Sequence, residues 1–90
     1  MIIPKEGNVI VDFYADWCGP CKRISPYFEE LKEQFPNVLF LKCNIDENQE
    51  LARTLNIQSI PAFVLFADGA EKDRLVGANK DKLLGMIKSV

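Results

Sequence analysis

The 90-residue chain has no histidine, three cysteines, one tryptophan, and five each of glycine and proline. Without an imidazole, Ser-His-Asp and Cys-His catalysis are excluded, and so are the common zinc hydrolase centres. No apolar run approaches the roughly 18 residues a membrane-spanning helix needs. An excess of one charge is also missing. Eleven Lys/Arg against 13 Asp/Glu leave a net charge of −2, which argues against nucleic acid or an anionic membrane as partner. The start, Met1-Ile-Ile-Pro-Lys-Glu-Gly7, has neither the basic head nor the long apolar stretch of a signal peptide, so a cytoplasmic protein is expected. No repeat, low-complexity tract or linker divides the chain, and 1–90 reads as one domain with a short N-terminal segment, 1–8. The 48% of apolar residues is enough for a single small core.

The patterning that is present alternates strands and helices. Residues 9–15, Val-Ile-Val-Asp-Phe-Tyr-Ala, are β-branched and aromatic on both faces, as in a strand covered on both sides. Cys21, Ile24, Phe28, Leu31 and Phe35 recur at helical spacing and mark a helix that Pro36 stops. Pro26 lies inside it, off the apolar stripe, and is read as a kink. A second strand is expected at 38–43 and a short helix near 48–55 with Leu51, Ala52 and Leu55 inward. Ile60-Pro61 introduces a third strand at 62–67. Asp68-Gly69 is a hairpin turn signal returning as a strand at 72–76. Asn79 is a plausible N-cap for a last helix with Leu83, Leu84 and Ile87 on its apolar side. The sum is an α/β fold, β-α-β-α-β-β-α, with a mixed sheet of about four strands.

The chemistry centres on Cys18 and Cys21. A Cys-x-x-Cys at the junction of a buried strand and a helix start is a redox signal, and its spacing allows a small disulfide ring. Cys18 lies before the first turn, where free N–H groups and the helix dipole favour a thiolate. Lowering a thiol pKa from about 8.5 to about 7 raises the thiolate fraction at neutral pH roughly fifteenfold. Cys18 is then the nucleophile. Cys21, which begins the apolar stripe, is expected to be shielded and to act as the resolving thiol. Pro20 stiffens the loop where its missing N–H costs nothing. A structural zinc site lacks its four ligands, since the only further candidate is Cys43. Cys43 itself reads as an inert core thiol.

Asp12 stands mid-strand among apolar neighbours, where burial raises a carboxyl pKa. Two readings stand side by side. Asp12 is a general base for Cys21, directly or through a water, or it is half of a structural ion pair with Lys42 of the neighbouring strand.

Phe13-Tyr-Ala-Asp-Trp-Cys-Gly-Pro-Cys-Lys22 resembles the active-site signature of the thioredoxins. The likeness continues through Asp12, Pro26, the Lys42–Asp46 segment, Ile60-Pro61, Asp68-Gly69 and Val76-Gly77-Ala78, and covers roughly residues 9 to 90. It implies a thioredoxin fold with strand 9–15 central, flanked by 38–43 and 62–67, and with 72–76 at the outer edge. It implies a protein-disulfide reductase that binds no cofactor of its own and is recharged by an NADPH-dependent thioredoxin reductase. Its substrates would be disulfide-containing proteins such as peroxiredoxins or ribonucleotide reductase. In such proteins the residue matching Cys18 attacks, the one matching Cys21 resolves, Asp12 matches the buried acid that assists and Lys42 its usual neighbour. Pro61 matches a cis-proline facing the sulfurs, and Ile60 can pair strand-like with a substrate peptide. Trp17, Gly19, Pro20, Ile60, Gly77 and Ala78 would line the groove.

Three departures accompany the likeness. Tyr14 stands where many relatives carry tryptophan, and Ala62 where threonine is common. Only eight residues precede strand 9–15, where relatives begin with an additional strand and helix; a parallel crossover needs a dozen or more. Strand 38–43 is then an exposed edge, with reduced stability or a dimer through it as the expectation. The rival functions are a disulfide oxidase or isomerase domain and a non-catalytic binding module.

Overall fold

A computed structural model describes residues 1–90. The elements are β1 (Asn8–Tyr14), α1 (Gly19–Gln34), β2 (Val38–Asn44), α2 (Gln49–Thr54), β3 (Ala62–Ala67), β4 (Ala70–Val76) and α3 (Lys80–Lys88). The four strands form one sheet in the order β2-β1-β3-β4. β1 runs parallel to β2 and antiparallel to β3, and β3 is antiparallel to β4. The mixed sheet is the one the patterning leads one to expect, and its strand order is the one the resemblance implies.

The two-sided apolar pattern of β1 decides its central place. Ile10 joins a cluster with Ile24, Phe28 and Leu31 of α1, Phe40 and Phe63 of the sheet, and Leu83 and Ile87 of α3. Val9, Val11 and Phe13 face the other side with Cys43, Val64 and Phe66, against Leu51 of α2 and Leu55 at its C-cap. Phe28 holds the first layer together, with ring centroids 5.1 Å from Phe40 and 5.7 Å from Phe63. α1 runs on through Pro26, which is exposed and so leaves the apolar stripe unbroken.

β1 starts at Asn8 and β2 runs to Asn44, each one residue beyond the sequence reading, and α2 is the shorter Gln49–Thr54. Two further boundaries differ for physical reasons. β1 ends at Tyr14 rather than Ala15, because the chain turns at once toward α1, the Cys18 N–H donating to the Ala15 carbonyl at 3.2 Å. β4 begins at Ala70, two residues early, because the two-residue turn pairs Ala67 directly with Ala70. Its first four residues are exposed, so they carry no apolar pattern to read. Asp68 and Gly69 both have positive φ, 49° and 86°, as a primed hairpin turn requires. A Cβ on Gly69 would stand 3.3 Å from the Lys5 backbone, so both the dihedral and the space select glycine. The β2 edge carries one charged residue, Lys42. The β4 edge carries Glu71, Lys72, Asp73 and Arg74.

Candidate active site

The strand β1 and the helix α1 that follows it deliver the sulfurs. Cys18 is the N-cap of α1, with extended φ and ψ of −90° and 109°, and its Sγ accepts the backbone N–H of Cys21 at 3.2 Å. Gly19 and Pro20 therefore occupy the first two helical positions, where an N–H has no intrahelical partner and proline costs nothing. A negative charge developing on Cys18 Sγ meets an N–H and the positive end of the helix dipole. Cys18 and Cys21 are joined in a disulfide, their Cα atoms 5.3 Å apart. The expected contrast in shielding is absent: Cys18 is 5% exposed and Cys21 4%. In this oxidised state the N-cap position, not exposure, distinguishes the two.

The surround comes from three other places in the chain. Ala15, Ile45 and Ile60 pack about the pair. The Ile60–Pro61 peptide is cis, and the Pro61 carbonyl accepts the Gly77 N–H at 2.9 Å, which brings the Gly77-Ala78 turn beside Ile60-Pro61. Trp17 is 69% exposed, and its indole N–H donates to Asp46 Oδ2 at 2.9 Å. An apolar ring thus stands in solvent next to Cys18, tethered at its polar end. Sequence reasoning gave Asp46 no role of its own. Only its place in a matching segment marked it.

Asp12 is 1% exposed, and its Oδ1 has no hydrogen-bond partner. A cavity of about 120 Å³ joins it to Cys21, Ser25, Lys42 and Tyr14. Burial pushes the carboxyl up to about 6; the positive charge of Lys42 offsets part of this and Glu29 adds to it. The structural ion pair does not form. Although Asp12 and Lys42 are register partners across β1 and β2, the one salt bridge in the molecule is Arg74–Glu71. Lys42 Nζ instead donates to Ser25 Oγ at 2.8 Å and lies 5.0 Å from the centre of the Tyr14 ring. Ser25 carried no signal in the sequence, being one polar residue on a solvated helix flank. Cys43 is fully buried, and burial holds its thiol above the ordinary range.

The Asp12 shift has a consequence for stability. An unfolded carboxyl titrates near 3.8 and the folded one near 6, so the folded chain binds this proton more tightly. That advantage is complete below pH 3.8 and is lost as pH rises through 6, after which the buried charge destabilises the fold by on the order of 2–3 kcal/mol. Asp12→Asn is therefore expected to be the more stable protein at pH 7. The gain should shrink between pH 6 and 4 in denaturant titrations.

The family model described as thioredoxin matches residues 1–89. The chain belongs to the thioredoxin family. Among curated relatives, an H-type thioredoxin of Oryza sativa subsp. indica is 48% identical over 79 residues, 88% of this chain and 65% of that protein. Thioredoxin-like protein 1 of Schizosaccharomyces pombe is 47% identical over 83 residues, 90% of this chain but 29% of that one. The chain thus spans less than two thirds of the length of these thioredoxin relatives. A solved yeast structure, from work on thiol resolution in mitochondrial 1-Cys peroxiredoxin via glutathione/thioredoxin systems, superposes with a TM-score of 0.92 at 36% identity, covering 96% of this chain and 81% of that one. In a chain of this family, the Cys18–Cys21 disulfide beside Trp17 is a pair able to take part in dithiol–disulfide exchange.

Proposed function

We propose that this chain is a protein-disulfide reductase working through Cys18 and Cys21, with its electrons drawn from an NADPH-dependent thioredoxin reductase and no bound cofactor. The observation that carries the reading is the disulfide at the helix N-terminus with an unpartnered, buried carboxyl behind it. In the reduced protein the Cys18 thiolate attacks one sulfur of a substrate disulfide. A mixed disulfide forms and the other substrate sulfur leaves as a thiolate. Asp12 accepts the Cys21 proton through the cavity between them. The Cys21 thiolate then attacks Cys18 Sγ, which breaks the mixed disulfide, releases the second substrate thiol and closes Cys18–Cys21. Two electrons have passed to the substrate. Lys42 tunes Asp12 by its charge.

Trp17, Gly19, Pro20, Ile60, Pro61, Gly77 and Ala78 form the docking groove in this proposal, with the Ile60 backbone available for strand-like pairing. Peroxiredoxins are the substrate class we favour, since the yeast neighbour was solved in that setting. Ribonucleotide reductase is a second. The role is maintenance of cell redox balance in the cytoplasm, where a reducing poise keeps the pair as a dithiol. The test is turnover of a protein disulfide with NADPH and a thioredoxin reductase. Sustained, chain-dependent NADPH oxidation is expected. Its absence, with the pair still oxidising substrate dithiols, would favour an oxidase or isomerase, and absence of any exchange a binding module.

We also propose that a second copy adds to the edge of β2. β4 guards its own edge with four successive charges, whereas β2 has the single charge of Lys42 and leaves the apolar Leu39 46% exposed between the buried Val38 and Phe40. Bare apolar edges pair. Sedimentation at high concentration should give a dimer for this chain and a monomer for Leu39→Lys. A monomer for both would dismiss the pairing.

A further inference from the structure

The position of Lys42 is informative because it is not the one simple electrostatics favours. Its register partner across the sheet is Asp12, a buried carboxyl with an unsatisfied oxygen, yet the ammonium donates to Ser25 Oγ at 2.8 Å and lies over the Tyr14 ring. Asp12 and Lys42 are not within ion-pair distance. Ser25 comes from α1 and Tyr14 from β1, so the lysine is held from two elements at the mouth of the cavity that also contains Cys21.

We infer that Ser25 and Tyr14 are positioning residues that hold Lys42 off Asp12, so that Asp12 remains a base able to take the Cys21 proton. This rests on the proton-acceptor role proposed above for Asp12. An opposite charge brought within ~4–6 Å of a carboxylate lowers its pKa by about 1–3 units. A lysine paired with Asp12 would therefore lock it as an anion with little affinity for a thiol proton at neutral pH. A lysine held at the cavity mouth still limits the cost of the buried charge without abolishing that affinity. The two contacts set a compromise between stability and catalysis.

The groups that face Asp12 are few. Lys42 approaches from β2, Cys21, Lys22 and Glu29 from α1, and Tyr14 and Asp16 from β1 and the turn after it. On β3 the register partner is Phe63, which brings no charge. Lys42 is thus the group whose displacement changes the Asp12 environment most.

The experiment is a carboxyl ¹³C NMR titration of Asp12 in the oxidised native protein, Ser25→Ala and Ser25→Thr, with Asp12→Asn to assign the signal. Ser25→Ala frees Lys42 to swing onto Asp12. The Asp12 midpoint should fall by about one unit, the low end of the effect of an opposite charge, while Ser25→Thr, which keeps the hydroxyl, should titrate as the native protein. The pH profile of mixed-disulfide resolution, read in single turnover, should move with it. An unchanged or higher midpoint in Ser25→Ala, or an equal fall in Ser25→Thr, overturns the inference and leaves the proposed function standing. Resolution that is as fast in Asp12→Asn as in the native protein would instead remove Asp12 as proton acceptor, whatever its midpoint.

Discussion

Cys18→Ser is expected to abolish disulfide reduction, lowering turnover on the order of 10³-fold or more, the scale on which loss of a covalent nucleophile is felt. The fold should survive, because serine at an N-cap can accept the Cys21 N–H that the sulfur now accepts. Cys21→Ser should fail differently. Cys18 would still attack, but nothing would resolve the product, so a mixed disulfide with substrate should accumulate and be visible by mass spectrometry without reductant. Accumulation with Cys18→Ser instead would reverse the two roles. The contrast matters because the two sulfurs are almost equally covered in the oxidised protein, so only the N-cap geometry assigns them.

The second large effect falls on stability. Phe28 is 1% exposed and its ring touches Phe40 of β2 and Phe63 of β3, so it joins the helix to both sides of the sheet centre. Phe28→Ala should cost about 3–5 kcal/mol. For a domain of this size each kcal/mol is worth roughly 4–8 °C in Tm, and total stabilities run only about 5–15 kcal/mol. A large drop in the denaturant midpoint is expected, and a loss below ~1 kcal/mol would show that the site collapses around the missing ring. Cys18 chemistry in whatever fraction remains folded should be little changed.

How much could be read beforehand follows from which physics was local. The two-sided apolar run at Val9–Phe13 and the helical stripe Cys21–Ile24–Phe28–Leu31 are sequence-near patterns, and they marked a strand covered on both faces and the inner face of α1. The central place of that strand came from the resemblance. Cys18 and Cys21 were legible for the same reason, since helix entry and sulfur spacing are set within four residues. The start of β4 was not legible, because an edge strand with exposed residues on both faces leaves no periodicity. The choice at Asp12 between a base and an ion pair with Lys42 was not legible, although Lys42 does lie opposite it on the adjacent strand. Strand pairing fixes where the backbones meet, but a lysine has enough reach to choose Ser25 from another element. Asp46 was missed likewise, its bond to Trp17 spanning 29 residues of chain. Residues that act through long side chains across elements are the ones that sequence spacing does not reveal.

The most direct test of a reducing dithiol at Cys18 and Cys21 is a redox titration in thiol/disulfide buffers, followed by the fluorescence of Trp17, the only tryptophan. A reversible two-electron transition at or below the cytosolic glutathione poise is expected, and Cys18→Ser should abolish it. A transition well above that poise would contradict the reductase and point to oxidation or isomerisation of substrate disulfides. No reversible transition in a folded sample would contradict the redox site itself.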